Sequence, residues 1–238
     1  MSRPLVFIHG SGDSGRIWRL QVEHFGPQRA FAIDLPGHGQ RPDIFPLEVT
    51  VPDYAQAAYE IVTGELRLER PIIAGHSLGG AVAMMMALQY GSKLGGLILI
   101  GTGARLRVHP DLLNDARQAP QQARQQLSEL GASQVNSNTI PQAIMQEQVA
   151  PGPSILYRDL AACNIFDIMN RLYEIHLPTL VIYGADDRLT PPKYSEYLHK
   201  HIEGSTLHSI PDAGHYVMRE QAKSVNQCIE QWLEQENL

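Results

Sequence analysis

The stretch Pro71-Ile72-Ile73-Ala74-Gly75-His76-Ser77-Leu78-Gly79-Gly80 runs from a β-branched apolar segment, through a serine flanked by glycines, into Ala81-Val82-Ala83-Met84-Met85-Met86-Ala87-Leu88. A short apolar run that ends in a turn signal reads as a strand covered on both faces. A segment that is apolar all round reads as a helix buried against a sheet. The pentapeptide G-x-S-x-G between them makes a strand-turn-helix junction so tight that Gly75 and Gly79 stand where side chains would collide with their neighbours. Ser77 is left at the crest of the turn, beside the free N–H groups of a helix N-terminus, which favour developing negative charge. This setting makes Ser77 the candidate nucleophile. The three methionines are expected to fill core.

Working outward, similar apolar runs occur at 5–8, 30–33, 97–100, 180–183 and 207–210, each followed by a turn signal. Helix-period segments at 54–66, 80–89 and 192–201 lie between them. Strand and helix alternate as in an α/β protein, so the expected fold is a doubly wound, mostly parallel sheet with helices on both faces. From Ala104 to Ile168 the strand pattern stops. Helix formers dominate there, broken by Pro110, Pro120, Pro141, Pro151 and Pro153. Apolar residues such as Leu112, Leu127, Leu130, Ile144, Ile155 and Leu156 recur through it, so it reads as an inserted bundle of short helices. The expected organisation is a core of residues 1–103 and 171–238 with a helical insertion over 104–170.

A serine hydroxyl needs a positioned base, and histidine titrates near the working pH. Of ten histidines, His215 stands in Pro211-Asp212-Ala213-Gly214-His215, just past the last predicted strand. A loop there lies on the same sheet edge as Ser77. His76 cannot easily turn back onto the serine and is read as a packing or hydrogen-bonding residue. His9 and His38 occupy similar strand-end loops and could support the site, whereas His199, His201 and His208 read as ordinary surface positions. The carboxylate that orients the base is expected in Tyr183-Gly184-Ala185-Asp186-Asp187-Arg188, where spacing alone does not separate Asp186 from Asp187. Two N–H donors are needed for an oxyanion. The amide of Leu78 follows the nucleophile, and Ser11, in the flexible loop His9-Gly10-Ser11-Gly12, is chosen for the other.

These motifs together resemble the α/β-hydrolase superfamily. The matched pieces are Phe7-Ile8-His9-Gly10-Ser11, Asp34-Leu35-Pro36-Gly37-His38-Gly39, the serine junction, Gly184-Ala185-Asp186-Asp187 with Pro191, and Ala213-Gly214-His215. The resemblance implies a Ser77, Asp187, His215 triad, selects Asp187 over Asp186, and agrees with Ser11 and Leu78 as oxyanion donors. It implies that the insertion is a helical cap that selects substrates. Ser77 disfavours the aspartate-nucleophile branches, the haloalkane dehalogenases and epoxide hydrolases. The first run lines up with the family's third strand, so the antiparallel edge strands are expected to be missing.

Composition narrows the partners. With 43% apolar and 18% charged residues the chain is an ordinary globular one, and a formal net charge of −6 offers nothing to nucleic acid or anionic lipid. A small-molecule substrate is expected, with no nucleic acid and no membrane partner. Cys163 and Cys228 form no ligand or disulfide pattern, and no metal or organic cofactor is implied. The apolar start is too short for a signal peptide and no run is long enough to span a bilayer, which points to the cytoplasm. Three activities fit: hydrolysis of a small carboxylic ester, lactone or thioester through an acyl-enzyme; C–C bond hydrolysis or lyase chemistry, with Arg105 and Arg107 holding a substrate carboxylate; or a non-catalytic small-molecule receptor on the same fold.

Overall fold

The computed structural model describes residues 2–147, 152 and 154–238. Six strands, β1 (Leu5–Ile8), β2 (Ala30–Ile33), β3 (Ile72–His76), β4 (Gly96–Ile100), β5 (Thr179–Gly184) and β6 (Thr206–Ile210), form one sheet in the order β2-β1-β3-β4-β5-β6. Every pairing among them is parallel. β1, β3, β4 and β5 are buried along their whole length, as their unbroken apolar sequences require, while the edge strands β2 and β6 are partly exposed.

Side chains leave each strand alternately, so the sheet has two cores. Val6, Ile8, Ile73, Leu97, Leu99 and Val181 point to one face, where α2 (Val51–Glu60) and α3 (Leu78–Tyr90) pack together. Leu5, Phe7, Ile72, Ile98, Ile100 and Leu180 point to the other, with Trp18, Val225, Ile229 and Trp232. There α1 (Arg19–Phe25) and α10 (Ala222–Gln235) close the layer. Met84, Met85 and Met86 are all buried in the first core. α2 starts three residues before the expected segment because Thr50 and Asp53 form a capping box ahead of it, and it ends in a π-helical turn over Ile61–Glu65.

Between β4 and β5 lie α4 (Pro110–Gln118), α5 (Pro120–Gly131), α6 (Ile140–Glu147) and α7 (Ile155–Ile165). An isolated antiparallel bridge, Arg105 to Asp167, joins the two ends of this stretch. Pro110 and Pro120 open α4 and α5 and Pro141 is the second residue of α6, so these prolines start helices rather than breaking them. The first turn of a helix has no use for the missing N–H. Pro151 and Pro153 lie outside the described residues. α8 (Pro192–His201) covers β5 and β6, and α9 (Val217–Glu220) follows the loop that carries His215.

The chain goes from β1 to β2 on one side and then crosses to β3 on the other, so the order reverses between β1 and β3. In a parallel sheet such a reversal opens a crevice between the loops that leave the two strands. Those loops carry Ser11 and Ser77.

Candidate active site

Ser77 sits directly between β3 and α3 with φ 53° and ψ −117°, a conformation rare for a residue with a side chain. Its carbonyl accepts the N–H groups of Gly80 and Ala81 and the hydroxyl of Thr102 at 2.7 Å, so the helix begins on the serine itself. A Cβ at Gly75 would lie 2.1 Å from the Gly79 carbonyl oxygen, and one at Gly79 would lie 2.3 Å from that of Ile8. The turn therefore admits no side chain at either position.

His215 and Asp187 come together as the motifs imply. The imidazole Nδ1–H faces Asp187 Oδ2 at 2.9 Å, and both residues are buried. Asp187 Oδ1 accepts the N–H groups of Leu189 and Thr190 at 2.9 and 2.8 Å, and the Thr190 hydroxyl donates to Oδ2 at 2.8 Å. Burial by itself would raise the Asp187 carboxyl, but the His215 charge and these hydrogen bonds outweigh it and hold the group below the ordinary carboxylate range. Asp186, its neighbour, is exposed. Thr190 was not singled out in the sequence, although an Asp two and three residues ahead of acceptor-seeking N–H groups is the signal of an Asx-type turn.

His76 lies behind this pair. Its Nε2–H donates to the His215 carbonyl oxygen at 3.0 Å, which pins the backbone of His215. Burial, with the nearby His215 charge, drives His76 well below the ordinary histidine value, so the ring is neutral. On the other side, Gly10 packs so closely that an added Cβ would meet His76 Nδ1 at 3.0 Å and the Ser77 Cβ at 3.2 Å. The loop after β1 thus lies against the serine. Among the described residues, neither the Ser11 amide nor the Leu78 amide donates a hydrogen bond, and none joins Ser77 Oγ to His215.

Ser11, Ser77 and His215 line one cavity of about 560 Å³, within the usual range for a small-molecule site. Its walls are apolar where the segment between β4 and β5 faces it, through Leu106, Leu112, Leu127, Leu130 and Leu160. Arg107 also lines it, with Nη1 donating to the Asn164 carbonyl at 3.0 Å. Arg105 does not: its guanidinium turns to Asp167 at 3.7 Å. The cavity holds a carboxyl with no counterpart in the sequence reading, Asp13, whose pKa burial pushes up to about 7 against the opposing charge of Arg124. Among the described residues no cluster of side chains suits a metal ion, and no helix is long and apolar enough to cross a membrane.

A model of the alpha/beta hydrolase family matches residues 5–227, and the chain belongs to that family. It is 30% identical over 198 residues to the pimeloyl-(acyl-carrier protein) methyl ester esterase of Neisseria meningitidis serogroup C, covering 77% of this chain and 75% of that one. It is 26% identical to the 2-hydroxy-6-oxo-6-phenylhexa-2,4-dienoate hydrolase of Comamonas testosteroni, covering 97% and 87%. Among solved structures it is similar to a thermophilic esterase at 34% identity and a TM-score of 0.84, covering 98% of this chain and 90% of that one.

Proposed function

We propose that the protein is a serine hydrolase that cleaves a small carboxylic ester, lactone or thioester through an acyl-enzyme on Ser77. One observation carries the reading. His215 has Nδ1 tied to Asp187 while Nε2 is without a hydrogen bond among the described residues, and the ring lines the same cavity as a serine held at a strained turn. Nε2 takes the proton as Ser77 Oγ attacks the carbonyl carbon, and Asp187 stabilises the imidazolium. The Ser11 and Leu78 amides receive the tetrahedral oxyanion. Collapse expels the alcohol or thiol, protonated by His215, and leaves the acyl group on Ser77; a water deprotonated by His215 then releases the acid.

Residues 104–170 act as the cap over this site, on the core of 1–103 and 171–238, and their leucines give the acyl chain an apolar seat. The likeness to an esterase over nearly the whole chain supports ester substrates. C–C bond hydrolysis has the weaker support, because of the two arginines expected to hold a substrate carboxylate only Arg107 faces the cavity. No metal or organic cofactor takes part in this scheme.

The test is a fluorophosphonate probe with the adduct located by mass spectrometry, alongside p-nitrophenyl ester turnover. The expected result is a single adduct on Ser77 that requires His215. A folded wild type that takes no adduct overturns the serine-hydrolase reading and leaves the receptor.

A further inference from the structure

Two consecutive charged residues of α7, Arg158 and Asp159, are buried, which is unusual unless both are paired. Asp159 Oδ2 accepts the Gly12 N–H at 2.9 Å and faces His38 Nε2 at 2.8 Å. Its Oδ1 accepts the Tyr54 hydroxyl at 2.5 Å. His38 Nδ1 faces the Pro36 carbonyl at 3.2 Å, so both ring nitrogens donate and the ring is an imidazolium. Arg158 donates Nε to the Tyr54 hydroxyl, Nη2 to the Pro36 carbonyl and Nη1 to Asp43.

The same helix face presses on the loop after β1 at two further points. Leu156 lies where a Gly12 side chain would be, with Cδ1 2.9 Å from an ideal Cβ, and Gly12 itself has φ +70°. Cys163 Sγ is 3.7 Å from the Ser11 hydroxyl. Positions 155, 159 and 163 recur every four residues along one face. Ile155 abuts Gly37, so the loop after β2 is held as well.

We infer that Asp159 is a positioning residue for ester hydrolysis: from α7 it holds the Gly12 amide, and so sets the direction of the neighbouring Ser11 N–H that receives the oxyanion. The inference rests on the function proposed above and assigns the inserted helices a part in the chemistry besides covering the pocket. The Ser11 N–H cannot be fixed by sheet or helix pairing, because it must stay free for the substrate. The neighbouring Gly12 N–H is the nearest backbone donor that can be tethered instead, and a carboxylate shared by four elements is a rigid tether.

The experiment compares Asp159→Asn, Tyr54→Phe and Asp43→Asn. Asp43 anchors α7 through Arg158 without touching the loop, so it reports a purely structural effect. In Asp159→Asn, kcat for a p-nitrophenyl ester should fall about 10- to 100-fold with KM nearly unchanged. The rate of Ser77 phosphonylation should fall in proportion, and the amides of residues 10–14 should exchange hydrogen faster. Asp43→Asn should lower Tm while keeping kcat and the exchange of that loop. Tyr54→Phe, which removes one bond to the same carboxylate, should give a smaller fall in kcat, and it decides the matter if Asp159→Asn fails to fold. Wild-type kcat in Tyr54→Phe and Asp159→Asn, or equal losses of kcat in Asp159→Asn and Asp43→Asn, overturns the inference. If the wild type takes no probe at all, the serine-hydrolase reading fails. Loop exchange then still decides whether Asp159 holds Gly12.

Discussion

Among the described residues there are two buried histidine–aspartate pairs of nearly equal length, His215–Asp187 at 2.9 Å and His38–Asp159 at 2.8 Å. Both carboxyls lie below the ordinary carboxylate range against the opposing effect of burial. The pairs differ at the second ring nitrogen. In His38 it donates to the Pro36 carbonyl, so the ring is closed on both sides and held charged, above the usual histidine value although burial alone would lower it. In His215 the second nitrogen is without a partner among the described residues and the ring lines a cavity. A buried histidine next to a carboxylate is therefore no sign of catalysis in itself. What fits His215 for the proposed role of base is the nitrogen that the fold leaves unused.

Breaking each pair should give opposite phenotypes. The largest effect is expected in His215→Gln, where ester kcat/KM should fall by about 10⁴-fold or more while Tm moves little, as read by p-nitrophenyl ester kinetics and thermal melting. Asp187→Asn should follow closely, at about 10³- to 10⁴-fold in kcat, because the amide supports the wrong tautomer of His215. His38→Gln should reverse the pattern. It leaves the Asp159 charge buried without its counter-ion, so denaturant unfolding should show a loss of roughly 3 kcal/mol, with a fall in kcat far smaller than in the other two.

Asp13 sharpens the comparison as a buried carboxyl with no histidine bonded to it. Its native value of about 7 is above the ordinary aspartate value of 3.8, so the native state holds its proton more tightly than the unfolded chain does. The stabilising contribution is complete below 3.8 and is lost as pH rises through about 7. Asp13→Asn should accordingly be more stable than wild type at pH 8, by on the order of 4 kcal/mol, and nearly indistinguishable near pH 4 when melting curves are compared.

The fold was legible because the central strands are buried on both faces. Leu5 to Ile8 begins and ends where its apolar run does, and so, at the partly exposed edge, does Ala30 to Ile33; Ser77, His215 and the Asp186-Asp187 pair stand in turns whose glycines and strand ends can be read directly, and the family resemblance selects Asp187 from that pair. The clasp around Asp159 was not legible. His38 could be suspected from its strand-end loop, but Asp159 lies within a helix of the insertion, 121 residues away, and nothing local separates it from a solvated carboxylate. The same holds for Gly131, at the end of α5, whose carbonyl accepts the His215 N–H at 2.6 Å. Arg105 illustrates the converse. Its charge and position suggested a ligand, but the chain folds an acidic partner, Asp167, onto it from the far end of the insertion.

The backbone at Ser77 has a consequence for anyone who would harden this protein. A residue with a side chain held at φ 53° and ψ −117° costs on the order of 1–3 kcal/mol, and glycine at that position would be released from most of it. A library sorted only for survival on heating would therefore reward clones that have discarded the proposed nucleophile. Selection for endurance has to be coupled to turnover in every round, or it will enrich well-folded proteins that do nothing.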